Sequence, residues 1–375
     1  MSWPIPEIPE LKAVAPLCYR LWFIILLLIL VVGTLVYAFL KDTTDFIHAA
    51  IYSSLPSFLV WLMLFGAALN RYEQYCAAAY AWEEASAETR FQWQQWSRKQ
   101  LAVVGNIILT PEQQGMASLL GDSKDIPAFP HRGRALFLSS KDNRQLLGEI
   151  DRELEKQCPN YRGFLHRIYV APASSDDWLS YQSLVYQQWD LLPIQAENRD
   201  EIDQLYKEAA FEGLIMVLAC QRWPPGSDKK AYSEFVSAQL LSSTEFATQK
   251  KLNVFAGMGR LLPSLPGEIT KDLPILFEYN RIDKTHMRHL WVTGVPNNVL
   301  TELAILSYAH SLNFSPENPI HLIDHTFGSP GPLSVFLASA MLTEAVGLTN
   351  SDHIVINQLP EGNAILYLMT KELHQ

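Results

Sequence analysis

The chain has 375 residues, 49% of them hydrophobic, which is enough for a large packed core and excludes a disordered protein. Acidic residues outnumber basic ones 39 to 29, giving a formal net charge of −10, which excludes a duplex nucleic-acid binder that neutralises phosphates with clustered Lys and Arg. The four cysteines, Cys18, Cys76, Cys158 and Cys220, have no CxxC spacing. They fit neither a zinc site nor a disulfide framework, and a reducing compartment is the simpler reading.

Residues 1–20 form a short tail before two uncharged apolar segments. Leu21 to Leu40 is 20 residues long, and at about 1.5 Å per residue it matches the roughly 30 Å hydrocarbon core of a bilayer. Ala49 to Leu69 is also free of charge, with Ser53, Ser54, Pro56 and Ser57 weakening its first half. The expectation is a transmembrane helical hairpin over 21–69. A cleaved signal peptide fits less well, because the first run exceeds a usual h-region and a second follows closely. Lys12 and Arg20 precede the first span, while Arg71, Arg90, Arg98 and Lys99 follow the second. That bias places both ends in the cytoplasm.

Residues 70–100 are rich in Ala, Glu, Gln and Arg and lack Gly and Pro, which predicts a juxtamembrane helix. It carries Trp82, Trp93 and Trp96, of which the last two are expected to pack on the following domain. From residue 101 onward, strand-like and helix-like stretches alternate. The strand candidates are Leu101–Thr110, Ala135–Ser140, Arg167–Pro172, Gly213–Cys220, Ser237–Ser243, Leu273–Tyr279, His289–Thr293, Ile320–Ile323, His353–Leu359 and Ala364–Thr370. Helices are expected at Asn143–Gln157, Arg199–Glu212, Asn298–Leu312 and Leu333–Ala345, and surface loops at Trp223–Lys230 and Gly259–Asp272. No short internal repeat stands out. The alternation predicts an α/β fold with covered sheets over 101–375.

His325 lies in DHTFGSPGP, Asp324 to Pro332, where Gly328 and Gly331 permit a turn into a helix. Acyl transfer needs a nucleophile, a base that reaches it and donors for the oxyanion. No Cys or Ser motif supplies the first of these, and Cys220 at a strand end reads as a buried apolar residue. His325 alone is a vestigial catalytic candidate, and a hydrogen-bonded histidine at a helix entry is the favoured reading of it. His286, His289, His321, His325 and Asp324 include metal-ligand types but no HExxH spacing, and FGSPG is not GxSxG. No P-loop or GxGxxG is present, so no cofactor or metal is implied.

VVGNIILTPEQQG (Val103 to Gly115), DHTFGSPG and EGNAILYLMTKEL (Glu361 to Leu373) resemble, in that order, the first strand, the late histidine loop and the closing hairpin of ketosynthases and other thiolase-like condensing enzymes. The resemblance implies a thiolase-like layered α/β domain. In such enzymes a nucleophilic Cys opens a buried helix in the first half, where this sequence has Asn198, Arg199 and Asp200. Over nearly its full length the layout of two spans, a Trp-containing helix from Arg71 to Asn106 and a degenerate thiolase-like domain is similar to the type VI lipase adaptor family. That resemblance implies a multi-pass protein of the bacterial inner membrane. Its cytoplasmic domain would be non-catalytic, bind a lipase-type effector and assist loading onto a secretion spike protein. The alternative is a divergent acyl-transfer or acyl-binding enzyme using His325.

Overall fold

The computed structural model describes residues 3–6, 8–9, 15–42, 44–120, 126–130, 132–137, 142–196, 200–207, 211–224, 231–282, 287–309, 320–359 and 361–374. The chain divides into two compact units, Ile5–Gln92 and Met1–Pro4 with Trp93–Gln375.

The first unit is built on helix α1, Tyr19–Lys41, and on helix α2, Phe46–Ser97, as far as Gln92. Leu21 and Leu40 lie in α1, and Ala49 and Leu69 in α2. Both helices are long and apolar enough to cross a membrane. Large side chains such as Phe23, Leu28, Phe39 and Met63 stand exposed on them. Small and polar residues hold the two together, the composition that lets helices approach closely in lipid. A Cβ on Gly33 would lie 2.0 Å from Ser57 Oγ, Thr34 Oγ1 is 3.3 Å from Ser53 Oγ, and the Trp61 indole donates to the carbonyl of Trp22 at 2.9 Å. The helix expected over 70–100 is not a separate element, because α2 continues through it without a break to Ser97.

The second unit is a mixed α/β fold. Its elements run β1 (Gln100–Leu109), α3 (Asn143–Gln157), β2 (Leu165–Pro172), α4 (Trp178–Trp189), β3 (Ile194–Gln195), α5 (Asp200–Leu205), β4 (Leu214–Gln221), β5 (Phe235–Ser243), α6 (Thr244–Lys250) and β6 (Ala256–Gly259). They continue with β7 (Leu262–Ser264), α7 (Ile269–Asn280), β8 (Met287–Thr293), α8 (Asn297–Ala309), β9 (Ile320–Leu322), α9 (Ile323–Thr326), α10 (Ser334–Thr349), β10 (Asp352–Gln358) and β11 (Ala364–Thr370).

The strands form one sheet in the order β3-β2-β4-β5-β1-β6-β11-β10-β8-β9, with β7 paired to β11. That order contains a repeat. In the first half the third, second, fourth, fifth and first strands lie side by side, and the second half reads the same way outward from β6. The directions repeat too: β2/β4 and β8/β10 are parallel, whereas β4/β5 and β10/β11 are antiparallel. The halves meet where β1 and β6 pair antiparallel, from Gln100↔Gly259 to Val103↔Ala256. The repeat lies in topology, which explains why the sequence shows none.

Side chains alternate between two cores, the period of two that a pleated strand imposes. Leu101, Val103, Ile215, Val217 and Ala219 face the core that holds α10, whereas Ala102, Val104, Leu214, Met216 and Leu218 face α3 and α4. Burial on both faces is why these strands read as continuous apolar runs. Helix α10 is buried nearly all round. Its buried Ser339 and Thr343 are paired: Gln239 donates to Asn106 Oδ1 at 3.1 Å and Thr343 Oγ1 at 2.9 Å and accepts from Ser339 Oγ at 2.9 Å.

Several sequence expectations need correction. Leu273–Tyr279 is not a strand but part of α7, whose buried Ile269, Leu273, Leu276, Phe277 and Asn280 recur at helical spacing. The expected loop at Gly259–Asp272 contains β7 and the first turn of α7. In the described part of Arg199–Glu212 only α5 is helical, and Ala135–Phe137 is irregular, with 138–140 outside the described residues. Most of the Trp223–Lys230 loop, 225–230, also lies outside them. Trp93 and Trp96 do pack on the α/β unit: Trp96 meets Trp3 and Trp93 edge to face, and the Arg260 guanidinium lies 4.2 Å from its ring centroid.

The polar ladder on α10 makes a prediction. Replacing Gln239 by Leu leaves Asn106, Ser339 and Thr343 buried with lost partners, and should lower unfolding stability in urea by about 2–3 kcal/mol.

Candidate functional site

The turn around His325 is assembled by backbone contacts. Gly328 has φ 92° and Gly331 φ 71°, conformations that favour glycine. Space demands glycine as well, since a Cβ on Gly328 would sit 2.3 Å from the carbonyl oxygen of Arg132 and one on Gly331 would sit 2.7 Å from Tyr232 Cβ. The carbonyl of His325 accepts from Phe129 N at 2.6 Å, and Ser329 N donates to Arg132 O at 3.2 Å. Gln221, fully buried at the end of β4, ties the turn to α10: its amide donates to Pro330 O and Ser233 O, both at 2.8 Å, and its oxygen accepts from Leu333 N at 3.1 Å. The His325 side chain itself is exposed. Its neighbour Asp324 is committed elsewhere, accepting from Gly294 N at 2.7 Å.

The groups that would complete an acyl-transfer site are placed differently. Cys220, next to last in β4, is fully buried, its thiol pushed up to about 12 by burial, and it meets the Tyr181 hydroxyl. A thiol held protonated in apolar surroundings is a poor nucleophile. The first-half helix that follows the third strand, α5, spans six residues, whereas its counterpart α10 spans sixteen. Asp200 opens α5, and Asn198 and Arg199 lie outside the described residues. Just after α5, the Tyr206 hydroxyl lies 3.0 and 2.9 Å from the carbonyls of Met258 and Gly259, and the Tyr206 carbonyl accepts from Arg260. Burial holds that guanidinium below its usual range.

A histidine cluster is the part sequence reasoning did not assemble. His289 Nδ1 and His321 Nε2 stand 3.0 Å apart, His289 stacks on His353 at 5.0 Å, and Trp291 stacks on His321 at 4.1 Å. The Trp291 indole N–H, which can only donate, reaches His353 Nδ1 at 2.9 Å. The His353 ring therefore carries its proton on Nε2 and donates to Thr349 Oγ1 at 2.7 Å, while that hydroxyl donates to Ala345 O and accepts from Ser351. Of the metal-ligand candidates, the fold joins His289 to His321 but turns Asp324 to Gly294, and His286 lies outside the described residues. Among the described residues no group of three or more His, Cys, Asp or Glu is arranged to hold a metal ion. His353 carried one sequence signal, a polar residue inside an apolar strand.

What the duplicated strand order, the glycine turn and the buried helix α10 define is a thiolase/ketosynthase-like layered α/β fold. Two solved structures carry the likeness. A type II polyketide synthase ketosynthase complex with its acyl-carrier protein matches at 11% identity and TM-score 0.50, covering 73% of this chain and 100% of that one. An oxazolomycin ketosynthase domain from Streptomyces albus matches at 12% identity and TM-score 0.50, covering 74% and 96%. Human mitochondrial 3-ketoacyl-CoA thiolase follows at 9% identity and TM-score 0.48, covering 74% and 99%. No protein-family model and no curated protein matches the sequence. At these identities the likeness is one of fold.

The histidine cluster sets a pH dependence. Burial, and then the neighbouring His289, lower His321 to about 3, and the same causes together with His321 hold His353 well below its usual range. Unfolded histidines titrate near 6.5. Between the two values the unfolded chain binds more protons, so stability is present above about 6.5 and is lost as pH falls toward 3, by up to about 1.4 kcal/mol per pH unit for each ring. Thermal unfolding should show a falling midpoint between pH 7 and 5, and His353→Gln should flatten that slope.

Proposed function

We propose that the protein is a membrane-anchored, non-catalytic adaptor of the bacterial inner membrane, whose cytoplasmic α/β domain binds a lipase-type toxic effector and assists its loading onto a type VI secretion spike. The observation that carries the reading is a condensing-enzyme fold whose histidine turn is closed by backbone contacts while its one strand-end cysteine is buried on Tyr181. The two apolar helices supply the anchor, and the placement of Lys12, Arg20, Arg71, Arg90, Arg98 and Lys99 supports a hairpin with both ends in the cytoplasm. Tethering would raise the effective concentration of a bound effector at the membrane face. The full-length protein, purified in detergent, should retain a lipase-type effector encoded beside it together with the spike protein. A reporter fused to the C-terminus should report the cytoplasm. Loss of effector retention, or a reporter outside, would overturn the reading.

A second reading has its own observation: the His325 side chain is exposed at the entrance to α10, and the neighbouring structures include ketosynthases. A divergent acyl-transfer enzyme would hydrolyse or transfer acyl-thioesters and lose at least 100-fold of that turnover, about the contribution of one general acid or base, in His325→Ala. The adaptor reading expects no turnover in either protein.

A further inference from the structure

Strand β1 changes character halfway along. From Leu101 to Val103 it pairs on both sides, with β5 and with β6, and after the irregularity between Val103 and Gly105 it pairs with β5 alone. The freed edge is first occupied by a side chain: the Gln157 amide accepts from Asn106 N at 2.7 Å and donates to Asn106 O at 3.0 Å, the two bonds a neighbouring strand would make. In an antiparallel ladder, residues two apart present their N–H and C=O to the same side. Ile108 therefore turns its donor and acceptor toward the side that Gln157 covers at Asn106 and that Phe137 N reaches at the Thr110 carbonyl, and among the described residues no strand pairs with Ile108 there.

That edge borders a cavity of about 370 Å³, at the small end of ligand-sized pockets. Apolar walls come from Ile107, Phe255 and Leu348, and one carboxylate, Glu344, lines it from the C-terminal half of α10. Burial raises the Glu344 carboxyl, opposed by the backbone N–H of Met116, and among the described residues no ion pair involves it. Among the described residues no cation compensates this acid, which lines the cavity beside Ile108. A half-buried carboxylate without a cation is costly to keep.

We infer that this site binds an extended peptide segment as an added strand on the β1 edge at Ile108, with a lysine or arginine side chain of that segment reaching Glu344. Main-chain bonds to Ile108 supply the register and the carboxylate supplies the selectivity, the division of labour seen wherever a peptide extends a sheet. The inference rests on the edge and the cavity and is independent of the effector reading.

The test uses the full-length protein in nanodiscs and a pool of acetylated, amidated pentapeptides with lysine at the centre and Val, Ile or Thr elsewhere. Hydrogen exchange over 105–109 should slow with the lysine pool and not with a glutamate pool. Glu344→Gln should weaken binding about tenfold, and N-methylating the peptides should abolish it. Gln157→Ala, which uncovers the Asn106 pair, should extend protection to that residue. No protection by either pool, equal protection by both, or the same protection from n-butylamine alone would overturn the inference. Failure of effector retention with peptide protection intact would strike only the adaptor reading.

Discussion

A helix apolar on every face can be stable in water only if it is covered on every face, and α10 imposes that requirement on the whole α/β unit. It packs against β1 and β5 of the first half and β10 and β11 of the second, so neither half completes its core alone. Its few polar side chains had to be matched in advance. Ser339 and Thr343 meet Gln239 and, through it, Asn106, which binds α10 again at Ala340 O. The network fixes the rotation of α10 about its own axis, because a turn of one residue would bury a hydroxyl against Leu or Val.

The fixed entry of α10 in turn fixes the histidine loop. Gln221 and Ser233 bind the loop backbone on both sides of Gly328, and the Arg132 carbonyl fills the space a side chain would need. The loop is thereby a structural joint between β4, β5 and α10. His325 is exposed at that joint, whereas the Cys220 thiol is buried.

Much of this architecture was legible in the sequence, and the failures have physical causes. Strands such as β4 and β10 are buried on both faces, so uninterrupted apolar runs marked them within a residue or two. Helix α7 was misread for the same reason: Leu273 to Tyr279 is equally apolar, and Pro274 hides its helical spacing. The repeat was invisible because its two copies share strand order while differing where sequence signals concentrate, in α5 against α10. Of the sites, the glycine turn was legible because positive φ demands particular residues. The histidine cluster was not, since His289, His321 and His353 come from three strands that meet only through parallel pairing. The open edge at Ile108 depends on where β6 stops, which no local pattern records.

The division of one core between two repeats also has a consequence in time. The first five strands are complete at Ser243, but the helix that covers their inner face begins at Ser334. At ribosomal rates of about 5–20 residues per second, that face waits roughly 5 to 20 s for its cover. During that interval a sheet carrying Leu101, Val103, Ile215 and Val217 is exposed to the solvent and to other nascent chains. The slower the synthesis, the longer that apolar face stands without its cover.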